Sequence, residues 1–339
     1  MIIIRADGNA KIGAGHLMRC LTIAEALAER MKSREDICFF CADEQSADMV
    51  RAAGFGVKVL GTDYRDMESE LPKWKQLVPG SNASMTILVD SYHVTDAYLE
   101  GLRSCGKVYL MDDMQEHAYP VDGVINYNAF ADEEVYRRLY ENADTECLVG
   151  SAYVPVRQQF LNLDYEPSEC VENVLITTGG GDVDNIAGSI LQRIYRKNVR
   201  FHIVTGRYNP HLEELRKREK TLQGVTIYHD VSDMAGLMRK CDMAVTAGGT
   251  TIYELAAVGV PFLCFSYAKN QEALTEYIGA QNIAGFFGAY HRDSKDTLNR
   301  LEELFDRYCA AYDLRWDSFK REREMIDGKG AWRLAGKLI

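Results

Sequence analysis

A chain of 339 residues, 47% hydrophobic and 26% charged, is long enough for two domains of ordinary size that each bury a core, and it leaves little room for long disorder. A formal net charge of −11 argues against nucleic acid or an anionic membrane surface as the main partner, because both need a concentrated basic face. The nine cysteines are odd in number and scattered through apparent strands and helices, so no disulfide framework is implied, and no leader pattern or bilayer-length apolar run is seen, which predicts a cytoplasmic protein.

In chain order, Ile2-Ile3-Ile4 predicts a buried strand that gives way to a loop with glycines at 8, 13 and 15, then to a helical pattern from His16 to about Met31. Ligands of parallel α/β sheets bind beyond the carboxyl ends of strands, so this unit marks a candidate site with His16 at its lip. A plain tight turn is the alternative. Residues 37–42 and 57–60 read as strands with an amphipathic stretch between them. Cys38 and Cys41 have redox-motif spacing but lie on a strand, where residues three apart face opposite ways, so they read as core. The polar stretch around Trp74, 73–79, reads as surface connection. Strands at 85–89, 107–111 and 123–125 end in Asp90-Ser91-Tyr92-His93, Asp112-Asp113 and Asn126-Tyr127-Asn128. Polar residues recurring just past successive strands predict a shared cleft, although each aspartate could instead cap the next helix. His93 and His117 lack ligand spacing, and no metal is expected.

Residues 151–172 have the composition of a crossing segment, after which the rhythm restarts. A strand at 173–178 leads through Gly179-Gly180-Gly181 to a helix from about Ile186, and strands at 199–205, 225–229 and 243–246 alternate with helices at 211–222 and 234–241. The first glycine loop lacks the Lys and Ser/Thr of a P-loop, and it is not the dinucleotide fingerprint. It offers unobstructed amides at a helix N-terminus, which suits a phosphate. A second such turn, Gly248-Gly249-Thr250-Thr251, precedes Glu254; Thr251 and Glu254 also have capping-box spacing. After a strand at 261–265 comes Lys269-Asn270-Gln271. Residues 295–325 read as one or two charged helices whose aromatics, from Phe305 to Phe319, are packing residues. The predicted class is α/β with two Rossmann-like domains: 1–150, a crossing segment 151–172, a nucleotide-binding domain 173–294, and a helical extension 295–339.

The motifs Arg5-x-Asp7, Ile12-Gly13-x-Gly15-His16-x-x-Arg19, Val89-Asp90-x-Tyr92, Asp112-Asp113 and Asn126-x-Asn128-Ala129 are followed by Tyr153-x-x-x-Arg157-x-x-Phe160, Gly179-Gly180, Asp182-x-x-Asn185, Glu254 and Lys269-Asn270-Gln271. Together they resemble the hydrolases of the pseudaminic-acid pathway that act on UDP-2,4-diacetamido-2,4,6-trideoxy-β-L-altropyranose, a branch of the glycosyltransferase-B (GT-B) architecture related to the MurG transferases. The motifs run from the first strand to about residue 290. Ala10 stands where the family's first loop is often polar, and Ser91 where a histidine is common.

The resemblance implies two Rossmann-like domains facing across a cleft, with the nucleotide held mainly by the C-terminal one. His16 would be the catalytic base. Asp7, Gly13, Gly15, Arg19 and Tyr92 would bind substrate from the first domain, and Gly180, Asn185, Gly249, Thr250, Thr251, Glu254, Asn270 and Gln271 from the second. Glu254 would hold the ribose diol, and backbone near Ile227 to His229 would read the uracil. The implied reaction is hydrolysis of a UDP-sugar by water attack at the anomeric carbon with inversion, without cofactor or metal, since helix N-terminal amides can stabilise the departing diphosphate. The expected partner is a small-molecule UDP-sugar, with no nucleic acid and no membrane, and a monomer is expected. The alternatives are an inverting glycosyltransferase of the same architecture and a non-catalytic nucleotide-sugar sensor.

Overall fold

The computed structural model describes residues 1–9, 12–78, 85–179, 181–206 and 209–339. Two compact units emerge, Met1–Val156 with Lys329–Ile339, and Arg157–Gly328.

The first unit is a seven-stranded sheet built from β1 (Ile2–Ala6), β2 (Ile37–Cys41), β3 (Gly56–Val59), β4 (Thr86–Asp90), β5 (Lys107–Met111), β6 (Gly123–Asn126) and β7 (Glu146–Val149), in the order β3-β2-β1-β4-β5-β6-β7. Every pairing is parallel. The chain therefore winds one way from β1 and then the other way from β4, and the carboxyl ends of these two neighbours flank the switch point where α/β sheets bind ligands. The helices are α1 (Gly15–Met31), α2 (Glu44–Ala52), α3 (Leu71–Leu77), α4 (Asp96–Arg103) and α5 (Glu133–Leu139). Ile3, Ile87, Val89, Val108 and Val124 are buried on the sheet, as the apolar runs predict.

The polar stretch around Trp74 departs from the reading as surface connection. It forms α3, started by a proline in its first turn, and Trp74 is fully buried with its ring 4.5 Å from that of Phe40. One large aromatic outweighs its polar neighbours because those can stay on the solvent side of the same helix. Pro79 lies outside the described residues.

The second unit repeats the plan with β8 (Asn173–Thr177), β9 (Arg200–Thr205), β10 (Val225–His229), β11 (Met243–Ala247), β12 (Phe262–Ser266) and β13 (Gly285–Ala289), in the order β10-β9-β8-β11-β12-β13 and again all parallel. Its helices are α6 (Ile186–Ile194), α7 (Leu212–Thr221), α8 (Met234–Met238), α9 (Thr250–Val258), α10 (Glu272–Ala280), α11 (Ser294–Ala310) and α12 (Tyr312–Met325). A last helix, α13 (Gly330–Leu338), packs on α1 in the first unit.

The residues expected to form a C-terminal extension are thus divided. Phe305 and Tyr308 of α11 join the core of the second unit, as packing residues should, whereas Leu334, Ala335 and Leu338 of α13 are buried in the first. Among the described residues no helix is long and apolar enough to cross a membrane.

One buried carboxyl is left over in the second unit. Glu322 on α12 is fully buried, and among the described residues no cation pairs with it. Burial pushes its carboxyl well above the usual range, and the Phe262 backbone offsets only part of that. A raised carboxyl favours the unfolded state once pH exceeds the unfolded value near 4.3, because the unfolded chain then releases a proton that the native state retains. Glu322→Gln is therefore expected to raise Tm at pH 8 by about 2–4 °C or more and to change it little at pH 4.5, as read by thermal melts at the two pH values.

Candidate active site

The first turn of α1 sits beside the end of β4, since Ala6 at the end of β1 is paired in register with Asp90. This juxtaposition brings His16 Nδ1 to 2.6 Å from Asp90 Oδ1. Asp90 is sealed from solvent. Arg19, one turn further along α1, clamps it with Nε on Oδ2 and Nη2 on Oδ1, both at 2.5 Å. Burial alone would raise the Asp90 carboxyl, but the Arg19 guanidinium and then His16 more than offset it and hold it well below the usual carboxylate range. The Cys20 thiol donates to Oδ2 at 3.4 Å, and burial followed by the Asp90 charge pushes that thiol up, so it is a silent donor and not a nucleophile.

A second carboxylate extends the network. Arg19 Nη1 donates to Asp113 Oδ2 and to the Tyr127 hydroxyl, each at 2.8 Å. Tyr92 donates to the same Asp113 oxygen at 3.1 Å, and Asn128 Nδ2 donates to Oδ1 at 3.2 Å. The exposed Tyr92 ring stands edge-on to His16 with centroids 4.5 Å apart. A cavity of about 170 Å³ is lined by His16, Asp90, Tyr92, Tyr64, His93 and Asp7.

His16 Nδ1 lies 2.6 Å from the Asp90 carboxylate, which can only accept, and 3.1 Å from Arg19 Nη2, which can only donate. The shorter contact to the carboxylate favours the tautomer with Nδ1–H donated to Asp90 and the lone pair on Nε2, and among the described residues Nε2 has no hydrogen-bond partner. The arrangement can accept a proton at Nε2, with Asp90 stabilising the imidazolium that forms.

The other expected first-domain residues have distinct places. Asp7 has both oxygens engaged, by the Ala42 amide at 2.7 Å and by Arg5 at 2.5 Å, and Arg5 in turn is held by buried Glu70. Arg19 is buried and its donors all point at protein groups, so it positions Asp90 and His16. Gly13 has φ +76°, where glycine is favoured, whereas Gly15 has open space around it.

In the second unit, the two glycine turns follow β8 and β11, the strands that flank its switch point. The structure separates them chemically. The first-turn amides of α6 are already taken: Asp182 accepts from Ile186 and Ala187 at 2.7 and 3.0 Å, and Asn185, the left-handed N-cap, accepts from Gly188. A carboxylate occupying a helix N-terminus disfavours a phosphate there, which corrects the expectation for that loop. Gly180 lies outside the described residues.

At α9 the N-cap is Gly249, with no side-chain cap and no acidic residue in the first turn. Gly248 is explained by packing, because a Cβ there would meet Thr275 and Gln271. Gly249 is extended and open, so neither its backbone nor its neighbours require a glycine. The capping box that the spacing of Thr251 and Glu254 offered as an alternative is absent, because the helix begins two residues too early for it, at Thr250 with Gly249 as its N-cap. Glu254 instead pairs with Arg157, both Nε and Nη2 reaching Oε1, at 2.8 and 2.6 Å. Burial raises its carboxyl, and Arg157 opposes that. Gln271 Oε1 accepts from the Tyr267 amide, and Asn270 is exposed beside it. The Ile227 amide, expected to face a base, is held by Glu219 at 2.9 Å.

Residues 174–306 match the glycosyltransferase family 28 C-terminal domain. The UDP-2,4-diacetamido-2,4,6-trideoxy-beta-L-altropyranose hydrolase of Campylobacter jejuni is 22% identical, across 82% of this chain and 95% of that protein. The chain resembles these hydrolases. It also resembles the spore coat polysaccharide biosynthesis protein SpsG of Bacillus subtilis, 25% identical across 99% of this chain and 96% of SpsG. MurG of Acinetobacter baumannii superposes with a TM-score of 0.65 at 14% identity, across 99% of this chain and 98% of MurG, which shows the GT-B type fold of two Rossmann-like domains.

Asp90 beside His16 and Arg157 beside Glu254 were not among the expected site residues. Asp90, Asp113 and Asn128 stood out as polar residues past strand ends and as motif positions, and Arg157 as a motif position. Replacing Arg19 tests the network. In Arg19→Leu the buried Asp90 and the half-buried Asp113 lose their counter-charge, and stability at pH 7 is expected to fall by about 3–5 kcal/mol. Because the wild-type Asp90 contribution is itself lost as pH falls through its depressed folded value, the difference should shrink in urea titrations carried below about pH 4.

Proposed function

We propose that this protein is a nucleotide-sugar hydrolase that removes UDP from a UDP-linked diacetamido-trideoxyhexose, in pseudaminic acid or related nonulosonate biosynthesis. The observation that carries the reading is the His16–Asp90 pair at the first unit's switch point, with Nε2 free to take a proton. His16 Nε2 removes a proton from water as the water oxygen attacks the anomeric carbon. The C1–O bond breaks with inversion, and its electron pair leaves on the diphosphate of UDP. The resulting imidazolium is stabilised by Asp90 and returns its proton to solvent. A diphosphate is already a good leaving group, so it needs charge stabilisation more than a proton.

In the second unit, the uncapped α9 amides beside open Gly249 support diphosphate binding there. Glu254 supports recognition of the ribose diol, because Arg157 engages Oε1 and leaves Oε2 as an acceptor. Thr250, Thr251, Asn270 and Gln271 flank this turn, and Tyr92 offers an aromatic edge to the sugar beside His16. The similarity to the Campylobacter hydrolase supports the choice of substrate.

The match of residues 174–306 to a glycosyltransferase domain favours a second reading, in which an acceptor hydroxyl replaces water. Incubation with UDP-sugars and no acceptor separates the two. Steady UDP release is expected, with kcat lowered by about 10²–10⁴ in His16→Ala at largely unchanged UDP affinity. Glu254→Ala is expected to weaken UDP binding about tenfold by calorimetry. Turnover only with an added acceptor would favour the transferase, and near-normal turnover by His16→Ala would remove the base from this role.

A further inference from the structure

The parallel sheet of the second unit has a free end as well as a ligand end. At the amino end of β13, away from the glycine turns, a cavity of about 410 Å³ opens among α10, β13, α11 and α12. That volume falls within the range of small-molecule sites. Phe286, Leu304, Leu314 and the Tyr308 ring supply apolar walls, and the exposed Arg307 and Arg321 stand on the α11 and α12 sides.

The polar groups here are arranged as a recognition site would need. The buried hydroxyls of Tyr308 and Ser318, 4% and 3% exposed, bond to each other at 3.2 Å. Two hydroxyls carry two protons and their mutual bond uses one, so one O–H remains to be donated to whatever fills the space. The Arg307 guanidinium has no ion pair or side-chain hydrogen bond among the described residues. Arg321 commits only Nη1, to the Asn282 carbonyl oxygen at 2.7 Å. The lining carboxylate, Asp317, is paired with Lys320 at 2.8 Å and also feels the Arg321 charge. In a chain of net charge −11 this leaves two lining guanidinium groups against one lining carboxylate, over a chamber with both polar and apolar walls.

We propose that this cavity is a second ligand site, for a small organic anion with an apolar or aromatic body. Its anionic group is held by Arg307 and Arg321, its body lies against Phe286 and Leu314, and a polar atom meets the Tyr308–Ser318 hydroxyls. Planar guanidinium groups suit a carboxylate, sulfonate or phosphate monoester. The site does not depend on the nucleotide reading, since it shares no residue with the α9 turn.

The probe is 8-anilinonaphthalene-1-sulfonate, an aromatic body with one anionic group, titrated by fluorescence into the intact folded protein. N-phenyl-1-naphthylamine, the same body without the sulfonate, is run in parallel. Saturable binding of the sulfonate is expected, with Kd rising about tenfold or more in Arg307→Ala/Arg321→Ala while the neutral dye changes by less than about twofold. If that double variant melts early, Arg307→Lys/Arg321→Lys decides: binding closer to wild type than to the alanine variant supports the site, and binding no tighter than the alanine variant overturns it. Absence of saturable sulfonate binding, an unchanged Kd in the folded alanine variant, or displacement of the dye by UDP would each overturn the proposal.

Discussion

The arrangement of the first unit turns on one buried ion pair, Arg19 with Asp90. A carboxylate with no solvent exposure is tolerated only when a counter-charge and hydrogen bonds replace its water, and here the guanidinium reaches both oxygens at 2.5 Å. That requirement fixes the rotation of α1 against β4. It therefore also fixes His16, one turn earlier on the same helix, whose Nδ1 lies 2.6 Å from the same carboxylate. Asp113 and Tyr127, at the ends of strands further along the sheet, use the remaining face of the guanidinium. A single arginine thus ties the ends of three neighbouring strands to the helix that carries the candidate base.

The second unit uses the same topology for a different purpose. Its switch point also gathers two strand-to-helix turns, but one helix N-terminus is satisfied by its own Asp182 and Asn185 while the other is left bare at Gly249. Capping chemistry, not glycine content, distinguishes them. A helix whose amides are already answered by a carboxylate has little to offer an anion, and a helix without a cap keeps its partial positive charge for one. Glu254 sits on the bare helix and is steadied by Arg157, 97 residues earlier in the chain.

Much of the architecture was legible because buried parallel strands announce themselves as apolar runs. Ile2–Ala6, Thr86–Asp90 and Asn173–Thr177 stand where those runs predict. Legibility failed where a short element depends on tertiary contact. Trp74 buries a polar helix, and β13 keeps Gly285 because a Cβ there would meet Leu263 and crowd Tyr308. In the site, His16 was legible from its place after the first strand, and the strand-end aspartates were visible as a pattern. Which aspartate would meet which cation was not, since Arg19 and Asp90 are 71 positions apart and only the register of β1 on β4 brings them together. The α6 loop misled for a related reason: its glycines are conspicuous, whereas the capping by Asp182 depends on a backbone bend with φ +34° at that residue.

The central claim is that a histidine oriented by a buried carboxylate delivers water to carbon and not to phosphorus. Turnover of the UDP-sugar in ¹⁸O-labelled water, with both products analysed by mass spectrometry, tests it most directly. The account requires the label to appear at the anomeric oxygen of the released sugar, with UDP unlabelled. Label in the terminal phosphate of UDP would mean that water attacks phosphorus, and would contradict the role given to His16 and Asp90.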